Sequence, residues 1–235
     1  LLDYFDKVYV VNLDKRPDKW DDFEDRAKKA GITGYERFQA VHGDACNPPS
    51  WYSFHGANMN GAWGCLMSHL MISYNAIMSG AESYLVLEDD ACFSCGFVEN
   101  LPKVLNQANQ LENGWDMLYL GGQHLYEETR SPEPIEDTDL IKCFNVNRTH
   151  AFAVHKRYMV KFSQHIIHAP DYIDTRYYHN FLRHVDHQLG EQHSHIETIA
   201  PINWLCGQAG GSSDVNGQVK DIELWHDKGW KENTS

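Results

Sequence analysis

Short apolar runs alternate along this chain with longer segments in which apolar residues recur every three to four positions. The short runs predict β-strands buried in a sheet, and the longer segments predict helices. Gly31 and Gly80 directly follow two of the predicted helices, as expected for residues that end a helix. The predicted strands are 7–13, 35–41, 84–87, 115–120 and one or two short strands within 144–154, and the predicted helices are 17–30, 61–79, 97–110 and 156–165.

The order strand, helix, strand at the start of the chain predicts a βαβ unit. Such units build α/β folds that bind their ligands at the carboxyl ends of the strands. Two stretches show neither the short apolar runs typical of strands nor the recurrence of apolar residues every three to four positions that is typical of helices. Residues 42–60 are predicted to form a loop beside the site, and residues 127–139, with six acidic residues and two prolines, a surface excursion outside the sheet.

Three consecutive acidic residues, Glu88, Asp89 and Asp90, directly follow the apolar run 84–87. Carboxylates this close repel one another, and a hard divalent cation with oxygen ligands relieves that repulsion. The triplet therefore predicts a metal-diphosphate site at the end of a buried strand. The structural alternative is a turn or a helix N-terminus, where Asp is a common cap.

Composition narrows the class of protein. The chain has 235 residues, enough for one α/β domain, and a net charge of −13, so we expect no general binding to nucleic-acid backbones. No stretch reaches the roughly 18 apolar residues of a membrane span. We expect a cytoplasmic protein, although the chain starts at Leu1 and its N-terminus can have been trimmed. The six scattered cysteines do not form a disulfide framework, and the pair Cys92 and Cys95 lacks the second pair that a structural zinc needs.

Six blocks of this sequence resemble glycosyltransferase family 25, which includes lipooligosaccharide sugar transferases and enzymes that galactosylate collagen. They include a Gly-Cys-x-x-Ser-His segment at 64–69 and a Leu-Glu-Asp-Asp motif at 87–90. Each block is short, but six in the same order are specific. The blocks are 10–19, 64–70, 87–91, 115–121, 149–154 and 185–189.

The resemblance implies a GT-A type fold, a Rossmann-like α/β/α sandwich with a mostly parallel central sheet. It further implies one domain over 1–235, in which 1–122 bind the nucleotide sugar and 123–235 supply the acceptor-binding half and a closing C-terminal segment. The implied cofactor is Mn²⁺ or Mg²⁺, with a UDP-sugar as donor. Lys19 stands where many members carry a second Arg, and the excursion at 127–139 has no counterpart in the family.

Asp90 is the first candidate metal ligand, with Glu88 beside it. In metal-dependent transferases of this fold a further ligand often comes from a C-terminal segment, which makes His226 the third candidate. Lys228 would reach a phosphate of the donor. The alternative is a frayed terminus with incidental aromatic residues.

Seven residues are candidates for contact with the rest of the nucleotide sugar. Arg16 would stack on or hydrogen-bond the nucleotide, or else be a surface charge. The predicted helix 61–79 is largely apolar, so its Ser68 and His69 are donor contacts or ordinary core residues. The candidates are Asn12, Asp14, Arg16, Ser68, His69, Glu88 and Asp89.

Asp186 is the candidate catalytic base, supported by His187. An inverting transfer needs a carboxylate or imidazole within hydrogen-bonding reach of the acceptor hydroxyl. A helix cap is the plain alternative. His184 and His187 could share a helix face and bind zinc, but no His-Glu-x-x-His pattern is present.

These residues predict a metal-dependent transferase. The resemblance implies that it moves galactose or glucose from a UDP-sugar to an acceptor hydroxyl, with inversion. The acceptor would be a glycan, a hydroxylated protein side chain or a modified nucleobase. Two alternatives stay open. A metal-dependent nucleotide or phosphodiester hydrolase would use similar side chains, and an inactive nucleotide-sugar-binding module would keep the fold alone.

Overall fold

The architecture comes from a computed structural model of the 235-residue chain. The structure describes residues 2–49, 52, 59–125, 130–167, 184–215, 219–220 and 223–225. The helices are α1 (Pro17–Lys29), α2 (Asn60–Ser79), α3 (Phe97–Gln110), α4 (Lys156–Ile167) and α5 (Val185–Gly190), with a 3₁₀ turn at Gly43–Ala45. The strands are β1 (Lys7–Asn12), β2 (Glu36–Gln39), β3 (Ser83–Glu88), β4 (Ala91–Phe93), β5 (Met117–His124), β6 (Glu133–Pro134), β7 (Leu140–Lys142), β8 (Val146–His155), β9 (Thr198–Pro201), β10 (Cys206–Gln208), β11 (Gly211–Ser212) and β12 (Val219–Lys220).

Eight strands form one central sheet in the order β2-β1-β3-β8-β5-β9-β7-β6. Strands β2, β1 and β3 are parallel, as the predicted βαβ unit requires, and β5 pairs in parallel with β9. Strand β8 lies antiparallel between β3 and β5. The sheet is therefore mixed and is parallel mainly at the end formed by β2, β1 and β3.

Helices cover both faces of this sheet. Along β3, Tyr84 and Val86 pack in the same core as α2 and α4, whereas Leu85 and Leu87 pack in a second core with α1 and α3. This alternation is the period of two that a strand buried on both faces must show. The α/β/α sandwich predicted from the sequence is confirmed.

The predicted helices and the longer predicted strands occur within a few residues of their expected bounds. Proline at the first position starts α1, and Gly80, at a φ of 72°, ends α2 in the left-handed conformation. The short strands β4, β6, β7 and β9 to β12 were not predicted, because strands of two to four residues carry too little periodicity to recognise.

The prediction that residues 127–139 lie outside the sheet is partly wrong. Part of the stretch 127–139 belongs to the sheet, because Glu133 and Pro134 pair with Lys142 and Ile141 at its edge. An edge strand tolerates proline and charge, since one side of its backbone has no partner strand.

Among the described residues, no helix combines the length and the apolar character needed to cross a membrane.

Candidate functional site

A cavity of about 730 Å³ opens where β1 and β3 end. Because these strands are parallel neighbours, with Val11 beside Glu88, both deliver the residues that follow them to the same edge of the sheet. The amino end of the antiparallel strand β8 reaches the same edge. The predicted residues that line the cavity are Asn12, Ser68, Glu88, Asp89, Asp90 and Asp186.

Asp89 is held by the segment that follows β1. Asn12, which is 1% exposed, donates a hydrogen bond from Nδ2 to Asp89 Oδ2 at 2.7 Å. The ammonium of Lys19 lies 3.8 Å from the other carboxylate oxygen. Burial raises the pKa of Asp89, while Lys19 and Asn12 act in the opposite direction. The Asp89 carboxylate therefore faces the cavity at a fixed position.

Arg26 of α1 fixes the backbone of the acidic triplet. Its guanidinium donates to the carbonyl oxygen of Asp89 at 2.6 Å and to that of Ala91 at 3.1 Å. The turn between β3 and β4 is thus tied to a helix on one face of the sheet. These two hydrogen bonds join residues that are 63 and 65 positions apart in the sequence, and they were not predicted from it.

Glu88 points toward α2 and β8. Its Oε1 accepts a hydrogen bond from the Thr149 hydroxyl at 2.6 Å and lies 3.5 Å from His69 Nε2. Burial acts to raise the pKa of Glu88, but His69, Thr149 and His150 outweigh it, so the pKa is lowered. Glu88 is therefore an ionised, partly buried carboxylate.

Asp90 belongs to a third neighbourhood, where β4 pairs with β10. Gln208 Nε2 donates to Asp90 Oδ2 at 3.4 Å, and the backbone N–H of Ala209 donates to the Asp90 carbonyl at 2.7 Å. Gln208 also exchanges backbone hydrogen bonds with Leu224. The backbone at Leu224 is therefore paired with Gln208, and the side chain of Gln208 contacts Asp90 of the acidic triplet.

The three acidic side chains do not converge on one point. Within the described residues, the group of His, Cys, Asp or Glu donor atoms close enough for a common ion is Cys65, His69 and Glu88. This spread suits Mg²⁺ or Mn²⁺, which are usually held by one or two carboxylates together with substrate phosphates and water. It does not form a closed cage of three carboxylates.

Two cations line the same cavity, Lys15 on the loop after β1 and Lys19 in the first turn of α1. Lys15, Arg16 and Lys19 all approach the carboxylate of Asp214, at 3.6, 2.6 and 3.8 Å. The Asp214 backbone packs against Gly61 of α2 so closely that a Cβ at Gly61 would lie 2.5 Å from its carbonyl oxygen. Three cationic side chains therefore surround the Asp214 carboxylate at the border of the cavity.

Asp186 lies in the first turn of α5 and lines the cavity. Its Oδ2 accepts a hydrogen bond from the backbone N–H of Arg148 at 3.2 Å, and its Oδ1 one from the N–H of His187 at 3.0 Å. The N-cap of α5 is His184, so Asp186 is not the helix cap that was the alternative. Its carboxylate is instead anchored to β8.

Arg148 holds an unusual backbone conformation at this point, with a φ of 86°. The pairing of β5 with β8 is irregular here, because Gly121 pairs with Ala151 whereas Gln123 pairs with Asn147. Such bulges bend a strand and redirect its side chains, and they are common beside active sites. The irregularity turns Arg148 and Thr149 toward the cavity.

The remaining predicted donor contacts lie at its border. Asp14 is exposed and bonds to Gln39 at 2.5 Å, and Arg16 is engaged with Asp18 and Asp214. The Ser68 hydroxyl donates to the Gly64 carbonyl at 2.7 Å. Neither Asp14, Arg16 nor His69 lines the cavity, while Ser68 reaches it from the wall of α2.

His226 and Lys228 lie outside the described residues. The last described segment, 223–225, is next to the site, because Trp225 packs within 2.7 Å of the position that a Cβ on Gly207 would take. The predictions for His226 and Lys228 stay predictions.

Among the cavity residues missed from the sequence are Arg148, Thr149, Gln208 and Asp214. Thr149 opens one of the blocks that resemble the family, which was the one available signal. The other three come from segments whose pattern is unremarkable. His184 and His187 both line the cavity, yet no third donor joins them among the described residues, so the zinc-hydrolase alternative gains no support.

All six cysteines lie among the described residues. None of the six is in a disulfide, and Cys92 is buried whereas Cys95 is exposed. The two do not belong to a group of metal donors within the described residues.

Individual proteins with similar sequences are named as glycosyltransferases. A protein of Acanthamoeba polyphaga mimivirus that is named as a glycosyltransferase is 35% identical over 106 residues, which are 42% of this chain and 33% of the viral protein. A Glycosyltransferase 25 family member of Drosophila pseudoobscura pseudoobscura is 30% identical over 137 residues, covering 53% of this chain and 22% of the relative. Procollagen galactosyltransferase 1 of Danio rerio is 29% identical over 143 residues, with the same coverages of 53% and 22%. The chain thus matches a third or less of the length of these relatives.

Among solved structures, the glycosyltransferase involved in the glycosylation of the major capsid of PBCV-1 aligns with a TM-score of 0.37 at 15% identity, over 70% of this chain and 68% of that one. A score this low does not establish a shared fold.

The match to a family sequence model covers more of the chain than the matches to individual relatives do. The sequence model described as Glycosyltransferase family 25 (LPS biosynthesis protein) matches residues 5–188, which include the acidic triplet, the α2 segment and Asp186. Because this match covers most of the chain, the protein belongs to glycosyltransferase family 25.

Proposed function

We propose that this protein is a metal-dependent glycosyltransferase that moves galactose or glucose from a UDP-sugar to an acceptor hydroxyl, with inversion at the anomeric carbon. One observation carries the proposal. A single cavity joins the acidic triplet Glu88 to Asp90, the lysines Lys15 and Lys19 and a separate carboxylate at Asp186. A transferase needs these three functions within reach of one bound donor.

The diphosphate would lie between the acidic triplet and the lysines. Asp90, with Glu88 or Asp89, would hold a divalent cation, Mn²⁺ or Mg²⁺, whose remaining positions phosphate oxygens and water would fill. That cation would act as a Lewis acid on the departing diphosphate. Lys15 and Lys19 would add fixed positive charge.

The nucleoside would occupy the end of the cavity where β1 stops. Asn12 and Asp89 are joined there by a hydrogen bond of 2.7 Å, which holds the Asp89 carboxylate in place for a ribose hydroxyl or a metal-bound water. Arg16 would contact the nucleotide after it leaves Asp18 or Asp214. His226 is proposed as a further metal ligand and Lys228 as a phosphate contact.

Asp186 would act as general base. As the acceptor oxygen forms its bond to the anomeric carbon, the bond from that carbon to the diphosphate oxygen breaks, and the hydroxyl proton passes to the Asp186 carboxylate. The hydrogen bonds from the backbone of Arg148 and His187 hold this carboxylate in one orientation. Attack from the face opposite the diphosphate gives inversion.

The proposal is tested by measuring UDP release from UDP-galactose and UDP-glucose with Mn²⁺, with and without an acceptor. The acceptors are a galactose-terminated glycan and a hydroxylysine peptide, with a modified nucleoside as third. Release that depends on an acceptor supports the transferase, and release at the same rate without one indicates a hydrolase. No release with binding of UDP retained indicates an inactive module.

Two variants sharpen this assay. Asp90→Asn removes the proposed metal ligand and is expected to lower the rate at least about 100-fold, by analogy with the loss of one electrostatic group at a reacting centre. Asp44→Asn removes an equal charge from the cavity wall and serves as the matched control. The Asp44 carboxylate accepts a hydrogen bond from Asn60 at 3.2 Å and lies 4.0 Å from His42 Nδ1. Equal losses in both variants would contradict the proposed role of Asp90.

A further inference from the structure

Cys65, His69 and Glu88 bring a sulfur, a nitrogen and an oxygen donor together beside the acidic triplet. Their donor atoms all lie within 4.8 Å of one another. Cys65 and His69 are four residues apart on α2, so their side chains project from the same face of the helix, and Glu88 meets them from the end of β3.

His69 is the second observation at this cluster. Its side chain is 1% exposed, and neither ring nitrogen makes a hydrogen bond of ordinary geometry; the one polar contact described for the ring is the ion-pair contact with Glu88. Its Nε2 lies 3.5 Å from Glu88 Oε1, beyond ordinary hydrogen-bonding geometry. A buried imidazole without hydrogen bonds has a free-energy cost, which a metal ion bound at one nitrogen would remove.

We propose that Cys65, His69 and Glu88 form a zinc-binding site distinct in its ligand set from the carboxylate-phosphate site of the transferase. Thiolate, imidazole and carboxylate are the ligands that Zn²⁺ prefers, and three protein ligands leave a fourth position open. Donor atoms on a tetrahedral zinc are about 3.3 to 3.7 Å apart, by its bond lengths. In the structure these donor atoms lie up to 4.8 Å apart, and small side-chain rotations would bring them to the separation that zinc requires.

Surrounding contacts support this assignment. The Thr149 hydroxyl donates to Glu88 Oε1 at 2.6 Å, which orients the carboxylate in the manner of an outer-shell partner. Phe152 packs against the His69 ring with centroids 5.5 Å apart and limits its rotation. Cys65 and Glu88 both line the cavity, so an ion can enter from solvent. The site shares Glu88 with the proposed transferase site but needs neither a nucleotide nor catalysis.

Co²⁺ titration of the metal-free protein is the test, since cobalt bound by a thiolate in tetrahedral geometry shows a charge-transfer band in the near ultraviolet and intense visible bands. We expect both in the wild type, with displacement of the spectrum by Zn²⁺. Cys65→Ser should abolish the charge-transfer band, and His69→Gln should weaken Co²⁺ binding by more than about tenfold. Circular dichroism of each variant checks that it is folded.

Cys95→Ser is the matched control, because Cys95 is exposed and is the thiol most open to adventitious cobalt. Its spectrum should equal that of the wild type. Absence of a charge-transfer band in the wild type would overturn the proposal, and so would a band that survives Cys65→Ser. Asp90→Asn is expected to keep the cobalt spectrum while it loses Mn²⁺-dependent binding of UDP, so the two proposals fail separately.

Discussion

Two described non-glycine residues have a positive φ, Asp137 at 58° and Arg148 at 86°, and Arg148 is the one that lies beside the cavity. An L-residue with a side chain at a φ of 86° carries backbone strain of about 1 kcal/mol or more. Its N–H donates to Asp186, so the conformation that is strained also positions the proposed base. We infer that the strain is retained because it builds the cavity.

Arg148→Gly tests this inference. Glycine adopts positive φ freely, so we expect the free energy of unfolding to stay unchanged or to rise by up to about 1 kcal/mol, while transfer activity falls because the guanidinium is lost from the cavity wall. Chemical denaturation and the UDP-release assay measure the two effects. A variant that is both less stable and fully active would contradict the account.

Asn12 joins three segments at one buried side chain. Its Oδ1 accepts from Arg37 Nε at 2.9 Å, and its Nδ2 donates to Asp89 and to the Arg16 carbonyl at 3.1 Å. Asn12→Ala is expected to lower the free energy of unfolding by about 2 kcal/mol, since the buried partners lose their hydrogen bonds. It should also weaken UDP binding, because Asp89 is no longer held.

Urea denaturation measures that loss, and Asn100→Ala is the control. Asn100 makes one long hydrogen bond, 3.5 Å from Lys103, at the surface of α3. We expect a change within about 0.5 kcal/mol there. A similar small change for Asn12→Ala would show that its hydrogen bonds do not hold the β1 edge together.

Residues of the site differ in how far the sequence could reveal them. Glu88, Asp89 and Asp90 are consecutive and follow an apolar strand, so their role is visible locally. Gln208 reaches Asp90 from 118 positions away, and Asp214 reaches Arg16 from 198 positions away. Such pairs become neighbours only through the folded chain, and no local pattern marks them.

Helix α2 is the element on which the cavity wall depends. It packs against the segment at 41–43 so closely that a Cβ on Gly64 would lie 2.5 Å from the carbonyl oxygen of Val41 and 2.8 Å from the backbone nitrogen of Gly43. Backbone atoms cannot move aside as a flexible side chain can. Gly64 therefore sets how near α2 lies to this wall.

Gly64→Ala is expected to lower the free energy of unfolding by about 1 to 3 kcal/mol, because α2 must shift away from residues 41–43. Gly96→Ala offers a comparison, since a Cβ there would meet only atoms of the Asn100 side chain, Nδ2 at 2.6 Å and Cγ at 3.9 Å. We expect that change to cost less than about 1 kcal/mol, because Gly96 is the N-cap of α3 and alanine is disfavoured at that position. Thermal and urea denaturation distinguish the two, and equal costs would contradict the close packing of α2.

Elements were predictable in proportion to their length. Helices α1, α2 and α3 and strands β1, β3 and β5 each carry enough apolar residues to show a period. The antiparallel insertion of β8 between β3 and β5 was not visible, because the polarity pattern of a strand buried on both faces does not record the direction of its neighbours. For this reason, the predicted parallel arrangement holds for β1, β2 and β3 but not for β8, the next strand of the sheet.

For the whole molecule, buried neutral histidines couple stability to pH. His193 Nδ1 accepts from the N–H of Val146 at 3.0 Å, so the proton of the neutral ring is on Nε2, which lies 3.2 Å from the Tyr119 hydroxyl. Burial, with a smaller effect of His124, lowers the pKa of His193 to about 3. Burial likewise lowers the pKa of His124 to about 4.

Unfolded histidine titrates near pH 6.5, so below that pH the unfolded chain binds protons that the folded chain excludes. The free energy of unfolding should therefore fall as the pH drops from about 6.5 to about 4, by up to about 1.4 kcal/mol per pH unit for each of these groups. Denaturation across this range measures the slope. His193→Gln should make it shallower, and an unchanged slope would contradict the buried neutral state.

The central claim is that the cavity binds a nucleoside diphosphate through a divalent cation held at Asp90. The most direct measurement is the melting temperature with Mn²⁺ and UDP for the wild type, Asp90→Asn and Asp44→Asn. At 100 times the dissociation constant, ligand adds about 2.7 kcal/mol, which raises the melting temperature by about 5 to 10 °C in a protein of this size. We predict this rise for the wild type and Asp44→Asn, dependent on Mn²⁺, and its loss in Asp90→Asn. No rise in the wild type, or an equal rise in Asp90→Asn, would contradict the claim.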